Sequence, residues 1–271
     1  MEKKIPGKRW EYMVYDKLDR PVATGPALNP YGNSENGWLV TKYDIFDRIA
    51  YTAWQSAPTF TSIERNAYKG NIYIGQQTEQ FTGSQNIGDV DVGYSNQVYP
   101  ITDLLVLTVN YYDGYGYPNA PVIPSQIFNQ NIAASVINLS TGSWVRILDD
   151  PSSQSGEASY VIYDSKYRPL REYSERQDTG GYIKTDNEYM PFNGMIMSTN
   201  TYHKKTASDA EFVIKDSYKY FDNGLEKNHY HQINVMELKS RVLRVDILDV
   251  GVAAIGLRLV KLGLFMSVKF E

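Results

Sequence analysis

The sequence has no cysteine in its 271 residues. That excludes disulfide frameworks, cysteine-ligated zinc and thiol catalysis, and leaves the compartment open, since many secreted bacterial proteins also lack cysteine. Histidine is nearly absent: His203, His229 and His231 are the whole supply. Positive charge is not in excess, with 27 Lys+Arg against 31 Asp+Glu and a formal net charge of −4. Without a basic footprint, nucleic-acid binding is excluded as a main role. Long apolar runs are missing as well. The one sustained stretch, residues 247–265, is broken by Asp249, Arg258 and Lys261, which argues against a bilayer-spanning helix. No apolar core follows the charged start Glu2, Lys3 and Lys4, so residues 1–7 do not read as a signal peptide. Catalytic signatures are lacking too: no G-x-S-x-G, Walker loop, dinucleotide fingerprint or H-E-x-x-H occurs. With no nucleophile, base and oxyanion donor to assemble, the expectation is a non-enzyme without cofactor or metal.

Tyrosine is what the sequence does have. Its 23 copies outnumber 9 Phe and 4 Trp together. Tyrosine suits a half-buried pleated surface, with an apolar ring face and a hydroxyl that reaches water. The composition therefore points to an all-β chain.

Many of the tyrosines recur in one pattern. Residues 12–22 read YMVYDKLDRPV, residues 40–50 VTKYDIFDRIA and residues 160–170 YVIYDSKYRPL. Each carries a Tyr-Asp pair followed four residues after the Asp by Arg: Tyr15, Asp16 and Arg20; Tyr43, Asp44 and Arg48; Tyr163, Asp164 and Arg168. Tyr112 and Asp113 form a fourth pair without the Arg. Degenerate copies lie at Tyr189 with Asn193-Gly194 and at Tyr220-Phe221-Asp222 with Asn223-Gly224. Before the first pair, Trp10, Tyr12 and Val14 alternate with Glu11, Met13 and Tyr15, the period of a strand. Polar turn formers and a second short apolar run follow, so each copy reads as a β-hairpin. The Asp is placed to accept from backbone N–H groups of the turn. The Arg has two uses open to it: pairing with that Asp, or stacking on the Tyr of a neighbouring repeat. One hairpin is not stable alone, so the copies must stack.

This pattern, with its aromatic strand in front, resembles the YD repeat of Rhs-type proteins, most closely their large Bacteroidetes members. The resemblance rests on residues 2–24, 37–52, 92–117, 160–172, 180–206 and 218–234, and so covers roughly 2–234. It implies stacked β-hairpins forming a segment of a spiral sheet shell. It also implies a secreted or cell-surface setting, with the remaining repeats of a larger shell or an enclosed toxin or effector polypeptide as partners. The family's self-cleaving core motif and a following toxin domain have no counterpart in this sequence.

Two stretches interrupt the array. Residues 55–101 are rich in Gln, Asn, Gly, Ser and Thr, with a short strand expected over 71–75. Residues 118–160 hold Pro118, Pro121, Pro124 and Pro151, a segment 127–139 that reads as either helical or extended, and a strand over 144–150. Both read as loop-rich insertions. No tyrosine follows Tyr230, and residues 235–271 shift to Val, Leu, Gly and Arg. Such a tail fits a truncated or frameshifted end, or a genuine helix or strand pair.

Two groups of residues invite a chemical reading. His229 and His231 fall on one strand face at a usable metal spacing, but no third ligand stands at a fixed offset, so a solvated or packing role is the expectation. Asp16, Asp44, Asp113 and Asp164 suggest acid–base pairing, yet a catalytic carboxylate is needed once and a turn-forming one in every unit. The expected function is therefore a non-catalytic piece of an Rhs/YD-type shell. The alternative is a secreted or surface carbohydrate-binding module, drawn from Val92-Gly93-Tyr94 and the YYDGYGY run at 111–117. An outer-membrane barrel fits the alternating strands but not the long polar insertions.

Overall fold

A computed structural model of the chain describes residues 2–4, 6, 10–235, 241–243 and 269–270. The apolar stretch 247–265 and most of the 235–271 tail lie outside the described residues. The described chain is all-β in class, with one α-helix. It divides into two compact units: Met1–Pro121 with Ile137–Ala158, and Val122–Val136 with Ser159–Glu271.

In the first unit, β1 (Glu2–Lys4), β2 (Trp10–Tyr15), β3 (Pro21–Leu28), β4 (Asn36–Tyr43) and β5 (Ile49–Ser56) pair antiparallel in sequence order. The chain then leaves the sheet through α1 (Ser62–Ile74) and a small hairpin of β6 (Asn86–Ile87) and β7 (Val90–Asp91). It returns as β8 (Leu104–Asp113), antiparallel to β5. In the second unit, β9 (Gln126–Ile127) and β10 (Gln130–Asn131) make a two-stranded hairpin. Back in the first unit, β11 (Val136–Arg146) lies beside β8.

The departures from this sheet bury one of its faces. On α1, Tyr68 and Ile72 stand four residues apart on one face and are buried against Trp38 and Val40 of β4. Trp38 meets Tyr68 at 4.9 Å and Phe60 at 4.6 Å between ring centroids. Farther along, Ile87, Val92, Tyr94, Tyr111, Tyr117 and Trp144 close over Ala53, Val106 and Val109. Trp144 leaves no room for a side chain at residue 156, where an added Cβ would meet its ring nitrogen at 2.1 Å, so glycine is required.

Two expectations for the insertions change, and one open choice is decided. Residues 71–75 are not a strand: Asn71, Ile72, Tyr73 and Ile74 complete α1 and Gly75 caps it. The deciding signal lies upstream, in a capping box at Thr61-Ser62-Ile63-Glu64. There Glu64 N donates to Thr61 Oγ1 at 3.3 Å and Thr61 N to Glu64 Oε2 at 2.8 Å. The 127–139 segment is not helical: it runs from the end of β9 through a turn at Phe128 and Asn129 into β10 and then the start of β11. The strand expected over 144–150 is the end of β11, which stops at Arg146. Beyond it Asp150 turns the chain, accepting from Ser152 N at 2.8 Å, and Pro151 has no N–H with which to continue a ladder.

The second unit continues with most of β12 (Gly156–Tyr163), then β13 (Pro169–Arg176), β14 (Gly181–Tyr189), β15 (Ile196–Lys204), β16 (Phe212–Tyr220) and β17 (Glu226–Val235). Neighbours in sequence are neighbours in the sheet, and β13 to β17 pair antiparallel. The short β18 (Arg241–Leu243) and β19 (Lys269–Phe270) both pair with β17. Among the described residues of this unit few apolar side chains are buried, Ile162, Leu170 and Val213 among them. Side-chain ladders run across these strands. Tyr160, Tyr173 and Tyr182 stack at 4.8 and 5.6 Å, and Arg171 pairs with Asp186 at 2.6 Å.

Candidate functional site

The recurring local structure is a turn closed by its own Asp and Arg. In the β2–β3 turn, Asp16 Oδ1 accepts from Leu18 N at 2.8 Å and Arg20 N at 3.0 Å, and Oδ2 accepts from Arg20 Nε at 2.8 Å. In the β4–β5 turn, Asp44 takes Phe46 N at 2.8 Å, Arg48 N at 2.9 Å and Arg48 Nε at 2.7 Å. In the β12–β13 turn, Asp164 takes Lys166 N and Arg168 N at 2.8 Å and Arg168 Nε at 2.7 Å. Backbone bonds close the same loops, from Asp16 N to Arg20 O, Asp44 N to Arg48 O and Asp164 N to Arg168 O. In each turn the residue before the Arg takes the left-handed conformation: Asp19 at φ 58, Asp47 at 63 and Tyr167 at 61. One carboxylate thus satisfies two turn N–H groups with Oδ1 and holds the guanidinium through Nε and Nη2 on Oδ2, which explains why the motif needs Asp and Arg at this spacing.

The guanidinium also faces the next strand pair. Arg20 lies over the Tyr43 ring at 4.6 Å, Arg48 over Tyr112 at 4.3 Å and Arg168 over Tyr189 at 4.2 Å. The hydroxyls of those rings donate back to the carbonyl of the residue after each Arg: Tyr43 to Pro21 at 2.9 Å, Tyr112 to Ile49 at 3.2 Å and Tyr189 to Pro169 at 2.9 Å. Tyr220 repeats the contact on Ile196 O at 2.7 Å. Both uses open to the Arg are therefore realised together: it pairs with its own Asp and stacks on the following Tyr. The first two copies add a link between acids, since Arg20 also reaches Asp47 at 2.6 Å and Arg48 reaches Asp113 at 3.0 and 2.6 Å. Asp113 holds Arg48 above its ordinary guanidinium pKa, and Arg48 in turn holds Asp113 below the usual carboxylate range.

Other predicted members of the pattern behave differently. Asp113 closes no turn of this kind; it accepts from Arg48 and, at 2.6 Å, from Asn138 N. Tyr15 lies at the register shift that ends β2, and its hydroxyl contacts Met13 Sδ at 3.7 Å. Tyr163 carries its carbonyl to Ala133 N at 2.9 Å. The degenerate turns replace the Asp–Arg lock with Asn-Gly. Asn193 accepts from Met195 N and Asn223 from Leu225 N, both at 3.0 Å, while Gly194 and Gly224 supply the positive φ.

A cleft of about 330 Å³ opens beside the second turn, lined by Phe46, Arg48, Phe81, Tyr94, Tyr112 and Asp113, among others. Phe46 and Phe81 are exposed on its rim. The aromatic runs expected as sugar platforms lie mostly inside the protein. Tyr94, Tyr111 and Tyr117 are buried and stack in parallel, with Tyr111 and Tyr117 4.2 Å apart. Sequence reading missed the buried ion pair of Lys42 with Glu79 at 3.4 Å, next to this cleft. It likewise missed Arg146, which is buried, pairs with Asp89 at 2.6 Å and donates to Val106 O. Neither has a sequence signal, since each joins residues distant along the chain.

In the first two copies the acids and guanidiniums of the clamp are committed to one another and to backbone groups, whereas in the third Arg168 Nη1 is buried without a hydrogen-bond partner. No helix among the described residues is long and apolar enough to cross a membrane. Compared with known proteins, the chain matches no family model, no curated protein and no solved structure.

Proposed function

We propose that the chain is a non-catalytic structural segment of an Rhs/YD-type repeat shell that encloses or presents a toxin or effector polypeptide, in a secreted or cell-surface setting. The observation that supports this is the clamp in which the Arg of one hairpin is locked by its own Asp and laid on the Tyr of the next strand pair. Such a unit serves addition of hairpin to hairpin and has no purpose in an isolated turn. Electron microscopy of the intact gene product tests it. A hollow spiral sheet is the expected outcome, and a compact particle without one removes the reading.

A second reading, a carbohydrate-binding module, draws on the cleft with Phe46 and Phe81 on its rim and Arg48 and Asp113 inside. Glycan-array retention that is lost in Phe81→Ala would favour it. An array that retains nothing would dispose of it.

A further inference from the structure

The two histidines set aside in the sequence for want of a third ligand have one in space. Asp216 on β16 pairs directly across from His231 on β17, and its Oδ1 lies 2.7 Å from His231 Nδ1. His229, two residues earlier on the same face, reaches the same oxygen at 2.7 Å with Nε2. The choice of ring nitrogen follows from the register. His231 stands opposite Asp216 and uses its near nitrogen, whereas His229 lies diagonally across and must use its far one. Tyr218, the cross-strand partner of His229, stacks on that imidazole at 4.6 Å and 16°, which fixes the ring plane.

We infer that Asp216, His229 and His231 form a binding site for one divalent transition-metal ion of the zinc class. The three ligand atoms lie within 4.8 Å of one another. In a tetrahedral zinc site with bonds of 2.0–2.2 Å, ligand atoms stand about 3.4 Å apart. Small rotations of three side chains on two hydrogen-bonded strands reach that spacing. Two imidazoles are borderline donors beside one hard carboxylate, a nitrogen-rich set that favours Zn²⁺, Ni²⁺ or Cu²⁺ over Mg²⁺ and Ca²⁺. The side chains keep 24 %, 29 % and 18 % of their exposure for His229, His231 and Asp216, so water has access to complete the coordination. One carboxylate brings a single negative charge to the ion, and its place on β16 against two histidines on β17 makes the ion a clip between adjacent strands. This site is independent of the Asp–Arg turns and stands whether or not the shell reading does.

The test is titration of the full chain, purified without a polyhistidine tag and stripped with chelator, with Zn²⁺ in competition with a chromogenic zinc indicator. One equivalent is expected to bind. Asp216→Asn and His229→Gln are each expected to weaken binding by at least about tenfold, while His203→Gln, an exposed histidine on β15, leaves it unchanged. Far-UV circular dichroism shows whether the variants keep the sheet, and Asp216→Asn preserves side-chain shape in any case. Absence of stoichiometric binding by the parent chain, or full binding retained by the folded Asp216 and His229 variants, overturns the assignment.

Discussion

Lys42 carries an ammonium group to a place where its side chain is only 1 % exposed, opposite a carboxylate, Glu79, that is fully buried. It occupies an inward position of β4, in line with Trp38 and Val40, where the strand's alternation calls for an apolar residue. The charge is tolerated because its surroundings satisfy it: Glu79 at 3.4 Å, Pro100 O at 2.8 Å and Val98 O. Glu79 meanwhile accepts from Ser95 Oγ at 2.6 Å, Gln97 N at 2.9 Å, Val98 N at 3.1 Å and the Tyr51 hydroxyl at 3.2 Å. The pair thereby fastens the 95–100 loop onto the sheet. Removing one buried partner strands the other, so Glu79→Gln should cost about 3–5 kcal/mol in thermal or denaturant unfolding. Lys42→Met should cost less, since Glu79 keeps its hydroxyl and amide donors. A Glu79→Gln variant within about 1 kcal/mol of the parent would show that this network does not hold the loop.

The same contrast between made and stranded bonds governs the turns. Asp44→Ala releases two turn N–H groups and the inner face of Arg48, at an expected cost of about 2–3 kcal/mol. Asp222→Ala, at the exposed β16–β17 turn that Asn223 and Gly224 close instead, should stay within about 0.5 kcal/mol. Equal effects at both sites would show that the Asp–Arg lock is dispensable. The third copy also carries a penalty. Tyr167 holds the left-handed position at φ 61 with its side chain largely exposed, where aspartate stands in the other two copies. Tyr167→Gly should therefore stabilise by about 1 kcal/mol, seen as a raised Tm; an unchanged or lowered Tm would mean that Tyr167 earns its place through contacts. These turns were legible because every bond in them spans four residues or fewer, so spacing alone places Asp beside Arg. The landing of each Arg on the next Tyr was open as one of two choices, because it depends on the distance between strand pairs. Helix α1 was legible in principle through Thr61 and Glu64, but the polar composition around them concealed it. Asp216 lay beyond sequence reasoning, for its position opposite His231 is set by the register of β16 on β17.

At the scale of the whole chain, the abundance of tyrosine becomes a dependence on pH. Burial raises the phenol pKa of Tyr51, Tyr68, Tyr94 and Tyr111 well above the ordinary 10.0, and raises those of Tyr43, Tyr160, Tyr173 and Tyr189 as well. Above pH 10 the unfolded chain loses phenolic protons that the folded chain retains. The folded state then binds more protons, and stability must fall as pH rises further. Lys42 acts in the opposite sense over a lower window. Burial takes its pKa from 10.5 down to about 8, against the pull of Glu79. Between those values the unfolded state holds the extra proton, so this group adds stability as pH rises. Denaturant unfolding should therefore show stability holding or rising from about pH 8 to 10, then dropping steeply between about pH 10 and 12. Because the affected tyrosines are built into the packed core of the first unit and the stacked strands of the second, their ionisation should be cooperative with unfolding. Absorbance of tyrosinate and far-UV circular dichroism should then change together in one step above pH 10. Tyrosines that titrate independently around pH 10 while the circular dichroism stays constant would mean that their rings are solvated, and that the stacks and hydroxyl bonds between hairpins do not hold the sheet.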